Sequence, residues 1–208
     1  VGDPGAPAHV QRKNAGKVRE FQHLLAELNL AIEAQPDGLE VEETGSTFAE
    51  NARLKAVAVA SATGCWALAD DSGLSVEALG GAPGVHSARY ADSDSSRIAR
   101  LLQELERAQA TAGTPNRQAH FAAALALADP SGAVVLEVEG LCPGTILEAP
   151  RGEGGFGYDP LFVPEGFDRP FAELGVDVKN RLSHRARALA ALGARWDSGL
   201  IVPTGRRP

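Results

Sequence analysis

Cysteine is scarce in this sequence, and so are the patterns that would assign it a class at once. Two cysteines, Cys65 and Cys142, stand among 208 residues. That is too few for a disulfide framework or a cysteine metal site, so reduced thiols in a cytoplasmic protein are expected. No apolar run is long enough to span a bilayer, and no signal-peptide pattern is found. Positive charge is in deficit: 20 Lys and Arg against 27 Asp and Glu leave a net charge of −7. This disfavours a general role on nucleic acid or anionic membrane, and any anion site must concentrate its cations locally. A phosphate loop is also missing. Ala15-Gly16-Lys17-Val18 has the Gly-Lys pair but neither the leading glycine nor the Ser or Thr that would hold magnesium, which argues against the P-loop class.

What remains is globular material, 44% hydrophobic and 23% charged, long enough for one domain or two small lobes sharing a cleft. The expected division is a tail over 1–8, a single two-lobed domain over 9–197 and a second tail over 198–208. At its centre an apolar run, Trp66 to Ala69, ends in Asp70 and Asp71, with Ser72, Gly73 and a Gly-Pro-rich loop behind. A strand ending in acids at a glycine turn puts charge at the lip of a sheet, where open α/β folds bind ligands. Neighbours on a strand point to opposite faces, so one of the two acids should face a site while the other supports the turn.

Around this centre, His9 to Lys13 reads as a polar first strand, followed by a helix capped by Asn14 with its stripe at Val18, Phe21, Leu24, Leu25 and Leu28. Lys17 in its first turn opposes the helix dipole unless an anion binds beside it. Thr47-x-x-Glu50 has capping-box spacing and opens a helix from Phe48 to about Thr63, closed by Gly64. Lys55 lies two turns in, and Glu43 sits just before the helix. Ser95 to Leu105 reads as a surface helix, 108–116 as a loop, and 120–128 with 134–138 as a β-hairpin.

Gly152, Gly154 and Gly157 satisfy Gly-x-Gly-x-x-Gly, but Asp159-Pro160 follows where a dinucleotide fingerprint needs a helix. These glycines instead let the backbone pass close to a flat ligand, with Phe156 and Tyr158 to stack on it or to plug the core. Ser183 caps a last helix whose first turn holds His184 and Arg185, near Lys179 and Arg181. Cations at a helix N-terminus make an anion-binding arrangement. Acids for a metal, cations for an oligophosphate and a stacking surface together point to a nucleoside triphosphate. Water activated by metal and carboxylate would attack phosphorus.

Five segments carry a further signal: Glu43–Ala56 (ETGSTFAENARLKA), Ala69–Leu74 (ADDSGL), Ala78–Tyr90 (ALGGAPGVHSARY), Gly154–Phe162 (GGFGYDPLF) and Lys179–Leu189 (KNRLSHRARAL). They resemble the noncanonical purine NTP pyrophosphatases, the inosine/xanthosine triphosphate pyrophosphatase family, and the similarity covers nearly all of residues 9 to 195. The resemblance implies an α/β fold with a mixed, twisted central sheet flanked by helices, in two lobes with a nucleotide-binding cleft between them. It also implies a homodimeric, Mg2+-dependent enzyme that cuts ITP, dITP and XTP into the monophosphate and pyrophosphate. Carried over by motif, Asp71 resembles the general base and a metal-site carboxylate, and Glu43 the other metal-site acid. Asn14, Lys17, Lys55 and Ser72 match phosphate-side positions. Phe156, Gly157, Tyr158 and Asp159 match the base slot, with Lys179, His184 and Arg185 completing recognition and Arg89 at a position where the family often has a basic residue.

One departure stands at the start, where Arg12 replaces the threonine of the family's Ala-Thr-x-Asn-x-x-Lys motif. The lost hydroxyl contact costs about 0.5–1.5 kcal/mol. Open alternatives are a nucleotide-binding protein with weak or no turnover, a related pyrophosphatase of different base preference, and a phosphomonoesterase, which the adjacent spacing of Asp70 and Asp71 disfavours.

Overall fold

The structure, a computed structural model, describes residues 8–10 and 32–197. Asn14, Lys17, Arg12, the first expected helix, most of the first expected tail and all of the second therefore lie outside the described residues. Among the described residues, six strands form one mixed sheet in the order β2-β1-β3-β4-β5-β6. Strand β1 (Ala8–Val10) lies parallel to β2 (Ile32–Ala34) and to β3 (Ala67–Val76), while β5 (Val134–Ile146) pairs antiparallel with β6 (Phe162–Pro164). The expected mixed α/β sheet is present, flanked by helices.

The chain folds as two compact units. One takes the described residues of Val1–Asp71, Ala124–Gly140 and Ala188–Pro208, and the other takes Ser72–Ala123 and Leu141–Arg187. Each has its own core. The first packs small side chains, Ala52, Ala56, Val59 and Ala60 of helix α1 (Phe48–Thr63) against Ala67, Ala69, Ala124 and Ala126. The second packs large ones, Leu74, Leu101, Leu105, Phe121, Phe162 and Phe171 among them.

Helix α1 begins and ends where its sequence says. Thr47 Oγ1 accepts from the Glu50 amide, the Glu50 carboxylate accepts from the Thr47 amide, and Gly64 closes the helix at φ +65°. Helix α2 (Asp94–Ala112) starts at the Ser93 cap and runs past the expected end at Leu105. The Glu-Arg-Ala-Gln-Ala segment beyond Leu105 is made of good helix formers, so the helix continues through the expected loop until Gly113 at φ +70°. The hairpin of β4 (Gln118–Ala128) and β5 forms despite the alanines, its turn held by the Asp129 carboxylate accepting from the Ser131 and Ala133 amides. Three further helices follow: α3 (Phe171–Leu174), α4 (Val176–Leu182) and α5 (His184–Asp197).

Strand β3 corrects the sequence reading in one respect. It does not stop at the two acids but continues through Ser72 and Gly73 to Val76. Leu74 and Val76 are buried in the second core, and a strand that reaches apolar anchors on the far side of a polar patch has no reason to break there. Asp70 and Asp71 thus stand in mid-strand rather than at a lip. Gly73 is needed for a close approach: a Cβ there would sit 2.4 Å from Ser87 Oγ and 2.6 Å from the Gly84 carbonyl oxygen. Gly144 is tighter still, a Cβ falling 2.3 Å from the Val163 carbonyl oxygen and 2.6 Å from the Phe162 ring.

Candidate active site

The described candidate residues fall into two sets, one in each unit. In the first unit, Lys55 points from the middle of α1 into a pair of carboxylates. Its Nζ lies 3.0 Å from Glu43 Oε1 and 3.1 Å from Asp71 Oδ1, and it is only 3% exposed. Burial pulls the Lys55 pKa down, but the charges of Asp70, Asp71 and Glu43 outweigh it and leave the ammonium held above its ordinary value. Asp71 is buried (6% exposed) and Asp70 only partly so; with the strand continuing past both, there is no turn at this point for Asp70 to support.

Two carboxylate oxygens from separate segments therefore converge on one buried cation. That cation is the Lys55 ammonium. Mg2+ is typically held by one or two carboxylates together with substrate phosphates, and Glu43 and Asp71 are the residues that could offer such donors. Among the described residues no group of three or more His, Cys, Asp or Glu could hold an ion by protein ligands alone.

Asn51, which the sequence does not single out, enters the same cluster. Its Nδ2 donates to Asp71 Oδ2 at 3.1 Å, and its Oδ1 accepts from the Gly45 amide at 2.8 Å. The available signal is its place one helical turn before Lys55, on the same face of α1.

In the second unit, Arg185 Nη2 donates to Ser72 Oγ at 2.8 Å. Lys179 lies 4.1 Å from the Phe156 ring centroid, and Arg185 lies 5.7 Å from it. Asp159 is buried and holds both sides of this cluster, its Oδ2 accepting from Lys179 Nζ at 2.6 Å and from the Phe156 amide at 2.9 Å. The next amide, Gly157, donates to Asp94 Oδ2 at 2.7 Å. The Phe156 and Gly157 amides are thus already engaged by carboxylates.

His184 is buried and stacks on Phe121, ring centroids 4.8 Å apart and 13° from parallel. Tyr158 is buried in the second core, its hydroxyl donating to the Ser87 carbonyl at 3.1 Å, and burial drives its pKa up. Of the two aromatics expected to stack, Phe156 is the partly exposed one. Arg89 is exposed at the end of a 3-10 turn, Gly84–Arg89. The glycine run 152–157 forms turns and opens no helix, as the Asp-Pro break requires. Ser183 Oγ accepts from the Ala186 amide at 3.2 Å, so it caps α5 as expected.

Comparison with known proteins decides the family. The Ham1 family model matches residues 10–195. The chain belongs to the Ham1 family. A dITP/XTP pyrophosphatase of Prochlorococcus marinus strain MIT 9313 is 60% identical over 179 residues, which is 86% of this chain and 85% of that protein. A dITP/XTP pyrophosphatase of Nostoc sp. is 53% identical over 88% of this chain and 90% of its own length. Among solved structures, a HAM1 protein from Coxiella burnetii superposes with TM-score 0.83 at 40% identity, covering 92% of this chain and 99% of that one. The chain thus shares the fold of these relatives and matches most of their length.

Proposed function

We propose that the protein hydrolyses noncanonical purine nucleoside triphosphates (ITP, dITP and XTP) to the monophosphate and pyrophosphate, clearing them from the nucleotide pool. The observation that carries this is the convergence of Glu43 and Asp71 on one buried cation, in a chain whose relatives bear the name dITP/XTP pyrophosphatase. Glu43 and Asp71 would hold Mg2+ together with the substrate phosphates, and the ion would supply neutralisation of charge developing on phosphate oxygens. The chain's own residues do the rest. Asp71 accepts the proton of the water that attacks phosphorus, and the bond to the pyrophosphate leaving group breaks. Lys55, held between the two acids, offsets their charge and keeps them in place. Phe156 stacks on the base, with Lys179 fixed by Asp159 and Arg185 by Ser72.

A 6-oxo purine presents an acceptor where adenine presents an amino donor. Donors at that edge accept hypoxanthine and xanthine and leave adenine's amino group unpaired. His184 and Arg185 are the proposed donors. The proposed working form is a cytoplasmic homodimer, the form the family resemblance implies, and sedimentation equilibrium at twice the chain mass checks it.

The test is to incubate the protein with ITP, XTP, dITP, GTP and ATP plus Mg2+ and resolve the products. Inosine monophosphate with pyrophosphate is expected. Inosine diphosphate with free phosphate overturns the bond assignment. Tight nucleotide binding with no turnover establishes the binding-protein alternative that Arg12 leaves open.

A further inference from the structure

Asn51 is fully buried, 0% exposed, and both ends of its amide are used. The orientation is fixed by its partners. Turned over, the carbonyl would face the Asp71 carboxylate and the NH2 would face the Gly45 N–H, an arrangement with no acceptor for either donor. Asn51 and Lys55 stand one helical turn apart on α1 and address the two oxygens of a single carboxylate, Asn51 taking Oδ2 and Lys55 taking Oδ1. The other end of the Asn51 amide grips Gly45, two residues beyond Glu43. That contact is close enough that a Cβ on residue 45 would fall 2.7 Å from Asn51 Oδ1.

We propose that Asn51 is a positioning residue for the acid pair. Its amide ties Asp71 to the segment that carries Glu43, so that Asp71 Oδ1 and Glu43 Oε1 are held at the separation at which both reach one cation. This rests on the proposed function, in which that pair binds the divalent ion. Residues that orient a metal ligand from behind typically change metal affinity or activity by about 10–100-fold when replaced.

The test uses Asn51→Leu, close to Asn in shape, with Asn51→Asp beside it, which keeps an acceptor for Gly45 and sets a carboxylate against Asp71. Mn2+ binding to the nucleotide-free protein is read from the electron paramagnetic resonance signal of the free ion, and kcat and KM are read with ITP. Expected for Asn51→Leu is a Mn2+ dissociation constant at least about tenfold weaker. The kcat should fall about 10–100-fold while KM for ITP stays within about threefold. A purely structural role would lower the melting midpoint without this split. A folded Asn51→Leu with wild-type Mn2+ affinity and kcat overturns the proposal. Should Asn51→Leu fail to fold, an unchanged kcat in Asn51→Asp overturns it and a tenfold loss supports it. Asp71→Asn with Mn2+ affinity and turnover intact would instead overturn the assignment of Asp71 itself, a result distinguishable from failure at Asn51.

Discussion

A lysine buried beside two carboxylates is stable only as part of the set. Replacing Lys55 by Met removes the positive charge and leaves Glu43 and Asp71 facing each other with Asp71 out of water. Breaking a buried ion pair from one side costs about 3–5 kcal/mol. Urea denaturation of Lys55→Met in EDTA should show a loss of that size, and a loss under about 1 kcal/mol would mean that water screens the pair. A second residue-scale expectation concerns the thiols. Cys142 is buried and its pKa is pushed up to about 11 by desolvation, whereas Cys65 is partly exposed. At pH 8 the Cys142 thiolate is a negligible fraction, so a thiol reagent should titrate one group in the native protein and two in denaturant. At this scale the sequence is informative about chemistry but not about contacts. Glu43, Lys55 and Asp71 stand out by charge and spacing. Asn51 does not, because an amide on an Ala-rich helix becomes notable only when the strand it faces is known.

Elements bounded by local chemistry are legible in advance. The Thr47–Glu50 box and Gly64 set both ends of α1, and Thr47→Ala should lower stability by about 1 kcal/mol in urea titration. Where tertiary packing decides, sequence reading falls short. The apolar anchors Leu74 and Val76 carry β3 past its polar centre, whereas a pattern-based reading ends the strand at the acids. Helix α2 runs on past Leu105 because its apolar stripe ends before its helix formers do. Glu104 on that helix accepts hydrogen bonds from the Tyr90 hydroxyl and from Arg100, and these hold its pKa below the usual carboxylate value. A depressed carboxylate contributes stability that is complete above its unfolded pKa of about 4.3 and is lost as pH falls through the lower folded value. Glu104→Gln should therefore shrink the difference in urea midpoint between pH 6 and pH 3, and an unchanged difference would remove Glu104 from the acid response.

At the scale of the whole chain, the mixed sheet and the class of enzyme are both legible, since five long motifs in fixed order specify more than any single one. The division of the core is not. Small side chains fill one unit and aromatic and leucine side chains fill the other, a partition of volume that periodicity does not reveal. Phe162, fully buried between Phe121 and Phe171, is central to the larger core. Phe162→Ala should cost about 3–5 kcal/mol, read as a fall in the urea midpoint.

Beside that ring, Gly144 brings the backbone of β5 against Val163 with no space for a methyl group. The seam between β5 and β6 is thereby reserved at one position for hydrogen alone. A saturation library at residue 144, sorted for variants that remain in the soluble fraction, should yield little except the parental codon and its synonyms.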